Sequence, residues 1–153
     1  MGNFVAAPFK GEIMSRREIR EHIFKILFGV DFYGTAEMKE QMDLYFDQAL
    51  DDDLANPPSF VPQEDRKYIR EKAERIAAKV PEIDQEIDRV AKGWKTGRMA
   101  RADLAILRLA VYEMRWDDDI PVNVAINEAV ELAKKFGSDE SPAFINGILA
   151  KLA

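Results

Sequence analysis

The chain of 153 residues contains no cysteine and only one histidine. The first absence excludes disulfides, thiolate nucleophiles and zinc-thiolate sites together, and it agrees with a reducing compartment. The second leaves little for metal chemistry: His22 follows Glu18 by four residues, which gives at most two ligands, too few for a catalytic zinc site. His22 is therefore expected on a helix surface. Long apolar runs are missing too. No stretch approaches the roughly 18 residues of a membrane-spanning helix, and the opening MGNFVAAPFKGEIM lacks a basic segment leading into a continuous apolar one. Residues 1–14 read as a flexible arm, and the protein as cytoplasmic, with no membrane contact.

Equipment for catalysis is equally scarce. Gly29 and Gly34 have the glycine spacing of a phosphate loop, but Thr35 stands where the lysine belongs. The triplets Asp51–Asp53 and Asp117–Asp119 lack the alternating ligands and glycine of a calcium loop and read as solvated charge. No carboxylate pair has the contrasting environments that separate an acid from a base. The expectation is a protein that is not an enzyme, carries no metal or cofactor, and acts by binding.

What is present is helix. With 47% hydrophobic and 33% charged residues, the chain is long enough for a real core. Ser15 and Glu18 have the spacing of a capping box, and Ile19, Ile23, Ile26, Leu27 and Val30 follow at helical intervals, predicting a helix over 16–33 ended by Gly34. Met38 to Leu50 suggests an acidic second helix, stopped before the proline-rich DDDLANPPSFVP. A third is predicted over 63–79, with Tyr68, Ile69, Ala73, Ile76 and Ala77 inward, and a fourth over 81–93, with Ile83, Ile87, Val90 and Trp94 inward. Residues 99–116 have little polar surface and are expected at the buried centre. Pro121 opens a sixth helix with Val122, Ala125, Ile126, Ala129, Leu132, Ala133 and Phe136 inward, ended by Gly137; Ser141 is expected to cap a seventh. Strand alternation and long-period repeats do not occur. The fold class is all-α: about seven helices in two small bundles, an N-terminal subdomain over 15–80 and a C-terminal one over 81–153.

Charge is unevenly spread along this framework. The net charge is -6, yet residues 31–65 alone carry ten acids against one base, a local net of -9, so the remainder is +3. A ligand feels the local field, and an acidic total does not exclude a basic face. Arg16, Arg17 and Arg20 crowd the first two turns of the first helix, where the helix dipole disfavours a cation by roughly 0.3–1 kcal/mol. Either Glu12, Glu18 and Glu21 pair with them, or a polyanion does, since arginine forks and helix starts both suit phosphate. Spacing alone leaves both open. Residues 66–108 add twelve bases against seven acids, read mostly as solvated helix faces, with only some able to converge on a ligand. Phe144, beside Ser141 and Asn146, is a core residue by default and a stacking platform for an unpaired base as the alternative.

Several motifs in the C-terminal half resemble the NusB family of transcription antitermination factors. They are Arg101-Ala-Asp-Leu-Ala-Ile-Leu-Arg-Leu-Ala-Val-Tyr-Glu113, Ile120-Pro121, Ile126-Asn-Glu-Ala-Val-Glu-Leu-Ala-Lys134, Phe136-Gly137 and Phe144-Ile-Asn-Gly-Ile-Leu149. Trp94, Arg98, the basic opening Arg16 to Glu21, and Leu27-Phe28 fit as well, so the likeness spans about residues 15 to 152. The resemblance implies a two-bundle protein that binds the boxA element of nascent RNA with the ribosomal protein NusE and supports antitermination by RNA polymerase. It also implies RNA contact by Arg16, Arg17 and Arg20, and by Glu140 and Phe144, with Lys134 and Lys135 nearby. Glu18 departs from the pattern, where many members carry a further base. Two rivals remain: a helical scaffold or homodimer that binds no RNA, and the helical domain found before some ribosomal-RNA methyltransferase domains, disfavoured by the lack of a Gly-rich cofactor loop.

Overall fold

A computed structural model describes residues 14–33, 37–47, 61–93 and 95–153, without the side chains of residues 30–33. Most of the expected arm, Gly34, the Asp51–Asp53 triplet, the proline-rich loop and Trp94 lie outside the described residues. Within them the secondary structure is helical and no strand occurs. The helices are α1 (Arg16–Tyr33), α2 (Met38–Asp47), α3 (Gln63–Ala78), α4 (Val80–Val90), α5 (Arg101–Trp116), α6 (Val122–Phe136) and α7 (Ser141–Leu152), with one 3₁₀ turn at Thr96–Arg98. The chain divides into two compact units between Glu74 and Arg75, inside α3.

In the first unit α1 begins where the sequence says it should. The Ser15 hydroxyl accepts from the Glu18 N–H at 3.0 Å, and the Glu18 carboxylate accepts from the Ser15 N–H at 2.9 Å. Two backbone donors at the helix start are thereby satisfied. The Met14 N–H donates to Asp65 Oδ2 at 3.2 Å, bringing the start of α1 to the start of α3. Ile19, Ile23, Phe24, Ile26 and Leu27 form the buried stripe of α1, and Met38, Met42 and Phe46 that of α2. Each such side chain contributes about 1.5–3 kcal/mol on leaving water.

Two expectations are corrected here. His22 is not a surface residue: it is 3% exposed, its Nδ1 shares a 2.6 Å hydrogen bond with the Tyr45 hydroxyl, and the two rings meet edge to face. Burial, helped by the Lys25 cation, lowers the imidazole pKa to about 4, while burial raises that of the Tyr45 phenol. In α3, Tyr68 is exposed and Lys72 is buried in its place, its Nζ 5.8 Å from the centre of the Tyr68 ring.

The second unit is built on α5, and the expected buried centre is found: Leu104 through Leu107 and Leu109 through Glu113 are all buried. Helices α4, α6 and α7 pack on it. Ile83 and Ile87 come from α4, Ala125, Ala129, Leu132 and Ala133 from α6, and Ile145, Ile148, Leu149 and Leu152 from α7. The small alanines of α6 allow close approach to its neighbours. Val122, expected inward, is exposed at the first turn of α6. Ionic contacts tie the same helices together. Arg108 grips Asp84 with two bonds of 2.9 and 2.8 Å, and Arg115 reaches both Glu86 (3.1 Å) and the Leu152 carbonyl (2.9 Å). Arg115, with Arg89 assisting, holds the Glu86 carboxyl below its ordinary range. The basic stretch over 66–108 is thus partly consumed as scaffold.

Candidate nucleic-acid interface

The arginines at the start of α1 do not form a uniform set. Arg16 and Arg17 lie exposed in the first turn, directly after the Ser15–Glu18 cap, whereas Arg20 is 6% exposed, next to the apolar stripe. All three have interaction partners within the protein. Of the three, only Arg16 and Arg17 are exposed, and they directly follow the cap. The Glu18 carboxylate is bonded to backbone, yet its charge remains beside them.

In the second unit, Lys134, Lys135, Glu140 and Phe144 are brought together at the corner between α6 and α7. Lys134 pairs with Glu131 at 3.2 Å, one turn back, and the Lys135 ammonium stands 5.5 Å from the centre of the Phe136 ring. The helix ends at Gly137, whose N–H donates to the Ala133 carbonyl at 2.9 Å. Gly137 is extended (φ -99°, ψ -169°), so the left-handed cap expected of a glycine there is not what selects it. Closeness is the reason: a Cβ at Gly137 would stand 2.5 Å from Ser141 Oγ and 2.9 Å from the Ala133 carbonyl oxygen.

Ser141 is likewise not the cap predicted for α7. Glu140 takes the N-cap position, and the buried Ser141 hydroxyl accepts from the Ser138 N–H at 2.9 Å, folding the corner back on itself. Glu140 is thereby placed exposed at the start of α7, and Phe144 one turn later, half-buried between the inward Ile145 and Ile148 and the exposed Asn146 and Gly147. A half-buried aromatic ring, two lysines, a carboxylate and an amide thus lie on the last turn of α6 and the first turns of α7. Such a set can stack a base and hold a phosphate.

Among the described residues no group of three or more His, Asp or Glu side chains is arranged to hold a metal ion. No described helix is long and apolar enough to cross a membrane. Outside both clusters, α2 and α3 enclose a charged cleft that counting charges had assigned to solvated helix faces. Its signal was visible in hindsight as Arg66 and Arg70, one turn apart and both set against Phe46.

Comparison with known proteins decides the family. The NusB family model matches residues 17–153. The chain belongs to the NusB family. A transcription antitermination protein NusB from Agathobacter rectalis is 54% identical over 140 residues, covering 92% of this chain and 100% of the relative. One from Lachnoclostridium phytofermentans is 47% identical, covering 91% and 98%. A solved structure of T. maritima NusB superposes with a TM-score of 0.71 at 33% identity, covering 92% of this chain and 91% of that one. The resemblance read from the motifs and the all-α NusB architecture are both confirmed, and the chain is a member of a transcription antitermination family.

Proposed function

We propose that this NusB-family protein works in the cytoplasm as an RNA-binding antitermination factor. It holds boxA-type single-stranded RNA together with NusE, and the assembly supports transcription of ribosomal RNA by RNA polymerase. The observation that carries the proposal is the exposed Arg16 and Arg17 pair, set by a local cap at the start of α1. Cations at the positive end of a helix dipole are unfavourable by themselves, and phosphate offsets that cost. Arginine forks hold the backbone, which fixes register, while unpaired bases are read by stacking and hydrogen bonding at the corner of Phe144. Lys134 and Lys135 add phosphate contacts and Glu140 accepts from base edges there. Arg20 supports α1 from its buried position. Two weak ligands joined on one RNA bind more tightly than either alone, which gives NusE its part.

Fluorescence anisotropy with boxA-type RNA, with and without NusE, at several salt concentrations tests the proposal. Arg16→Ala with Arg17→Ala should weaken binding and reduce the salt slope while helicity is unchanged. Unchanged titrations across salt would overturn RNA contact at α1. A chain that binds no such RNA even with NusE present would instead be a protein-binding scaffold or homodimer.

A further inference from the structure

The cleft between α2 and α3 lies entirely within the first unit and has a volume of about 470 Å³. Lys39, Arg66, Lys67 and Arg70 line it together with Glu64, Glu71 and Glu74. Both arginines are pre-positioned. Their guanidinium carbons stand 5.1 and 5.2 Å from the centre of the buried Phe46 ring, Arg70 is paired with Asp43, and Arg66 donates to the Val61 carbonyl at 3.3 Å. Planar forks held on an aromatic ring lose little entropy when a carboxylate arrives.

Two further features indicate that the cleft is incomplete alone. Arg66 Nε is shielded from water with no acceptor among the described residues, a condition that costs about 1–3 kcal/mol for a buried donor. The lining side chains also ignore one another. Lys67 and Glu71 have the spacing of an i,i+4 pair, yet neither they nor Lys39, Glu64 and Glu74 make an ion pair or side-chain hydrogen bond among the described residues. Charges of both signs stand unpaired around one concave surface.

We infer that this cleft is a docking site for a protein segment of mixed charge, whose carboxylate is taken by Arg66 and its basic neighbours and whose lysine or arginine is taken by Glu71 and Glu74. Nucleic acid fits less well. A phosphate chain is negative throughout and would meet three carboxylates, whereas a segment with alternating signs satisfies both sets. Nothing in this assignment depends on RNA binding at α1.

Heteronuclear NMR on the full chain tests it through the side-chain Nε–H signals of Arg66 and Arg70. The probes are a short amidated peptide alternating glutamate and lysine, a polyglutamate peptide of equal length, and an oligouridylate. The mixed peptide should shift both signals saturably and bind about tenfold more tightly than either polyanion. Glu71→Lys, on the exposed face of α3, should remove that preference with the thermal transition retained, and Arg66→Lys should weaken the mixed peptide. An oligouridylate that binds as tightly as the mixed peptide would overturn the inference in favour of an RNA surface. Absence of any saturable shift, or titrations unchanged in both variants, would also overturn it. Arg16 and Arg17 serve as the internal control, since RNA binding at α1 can fail or succeed without moving these results.

Discussion

Gly137 lies so close beneath Ser141 that a Cβ on the glycine would fall 2.5 Å from the serine oxygen and 2.6 Å from its Cβ. The corner between α6 and α7 therefore closes on a missing side chain, and the serine hydroxyl occupies the space. Gly147, one helix later, has nothing within 4 Å of the corresponding position. Gly137→Ala should destabilise the protein by about 1–3 kcal/mol through overpacking. Gly147→Ala, inside a helix, should stabilise it by about 0.5–1 kcal/mol. Urea unfolding of both variants measures the contrast.

Arg20 and Arg16 should separate under mutation. Arg16→Ala removes an exposed cation and is expected to lower RNA affinity while leaving the thermal midpoint in place. Arg20→Ala empties a buried position and should lower that midpoint by several degrees as well as weakening binding. Melting curves run beside anisotropy titrations distinguish the two effects.

Phe144 is half-buried, so one substitution cannot isolate its role. Phe144→Leu keeps most of the apolar contact and removes the aromatic face. It should reduce RNA affinity by about 1–3 kcal/mol if the ring stacks on a base, with a loss of stability below about 1.5 kcal/mol. Phe144→Ala should lose both. Equal affinity of the Leu variant and the native protein would remove stacking from the mechanism.

The burial of His22 beside the Lys25 cation gives a pH dependence. The imidazole's folded pKa of about 4 lies below its unfolded value of 6.5, so the unfolded chain binds more protons between those limits. The associated stability is fully present above pH 6.5 and is lost as the pH falls towards 4, on the order of 3 kcal/mol over the whole interval. His22→Phe or His22→Leu should flatten this part of the stability profile. Tyr45→Phe should cost about 1–3 kcal/mol at neutral pH, because a buried ring nitrogen loses its partner.

Much of the fold was legible because its signals are local or periodic. The capping box placed the start of α1 correctly, and the scarcity of polar surface over residues 99–116 placed α5 at the centre of its unit. What escaped was the orientation of single polar residues. His22 stands three residues after Ile19 and four before Ile26, and Lys72 stands three after Ile69 and four before Ile76, so both share a buried stripe whatever their polarity. Glu113 is buried on α5 for the same reason. Tyr68 lies at the edge of its stripe and turns outward. Helical phase outranks residue type whenever the apolar neighbours are numerous enough to offset the polar group's desolvation. Of the candidate site, residue types left the arginines open between internal pairing and a polyanion and made Phe144 a core residue by default; the family resemblance singled them out, and the burial of Arg20 and the closure of the 137–141 corner depend on packing that no single sequence window contains.

Glu18 offers a further test. Glutamine can fill the same place in a capping box, so Glu18→Gln should keep α1 intact, with a stability change below about 0.5 kcal/mol, while removing a negative charge beside Arg16 and Arg17. RNA affinity should rise. An unchanged or weaker titration would show that this carboxylate does not oppose the RNA.

The same cap has a consequence for how the protein tolerates change. Ser15 and Glu18 are only three residues apart, so the geometry that presents Arg16 and Arg17 is written in one short word of sequence and forms on the timescale of a helical turn. Drift elsewhere in the chain can alter how much folded protein a cell holds while leaving the spacing of that arginine pair untouched. The placing of that arginine pair is insulated from the history of the core beneath it.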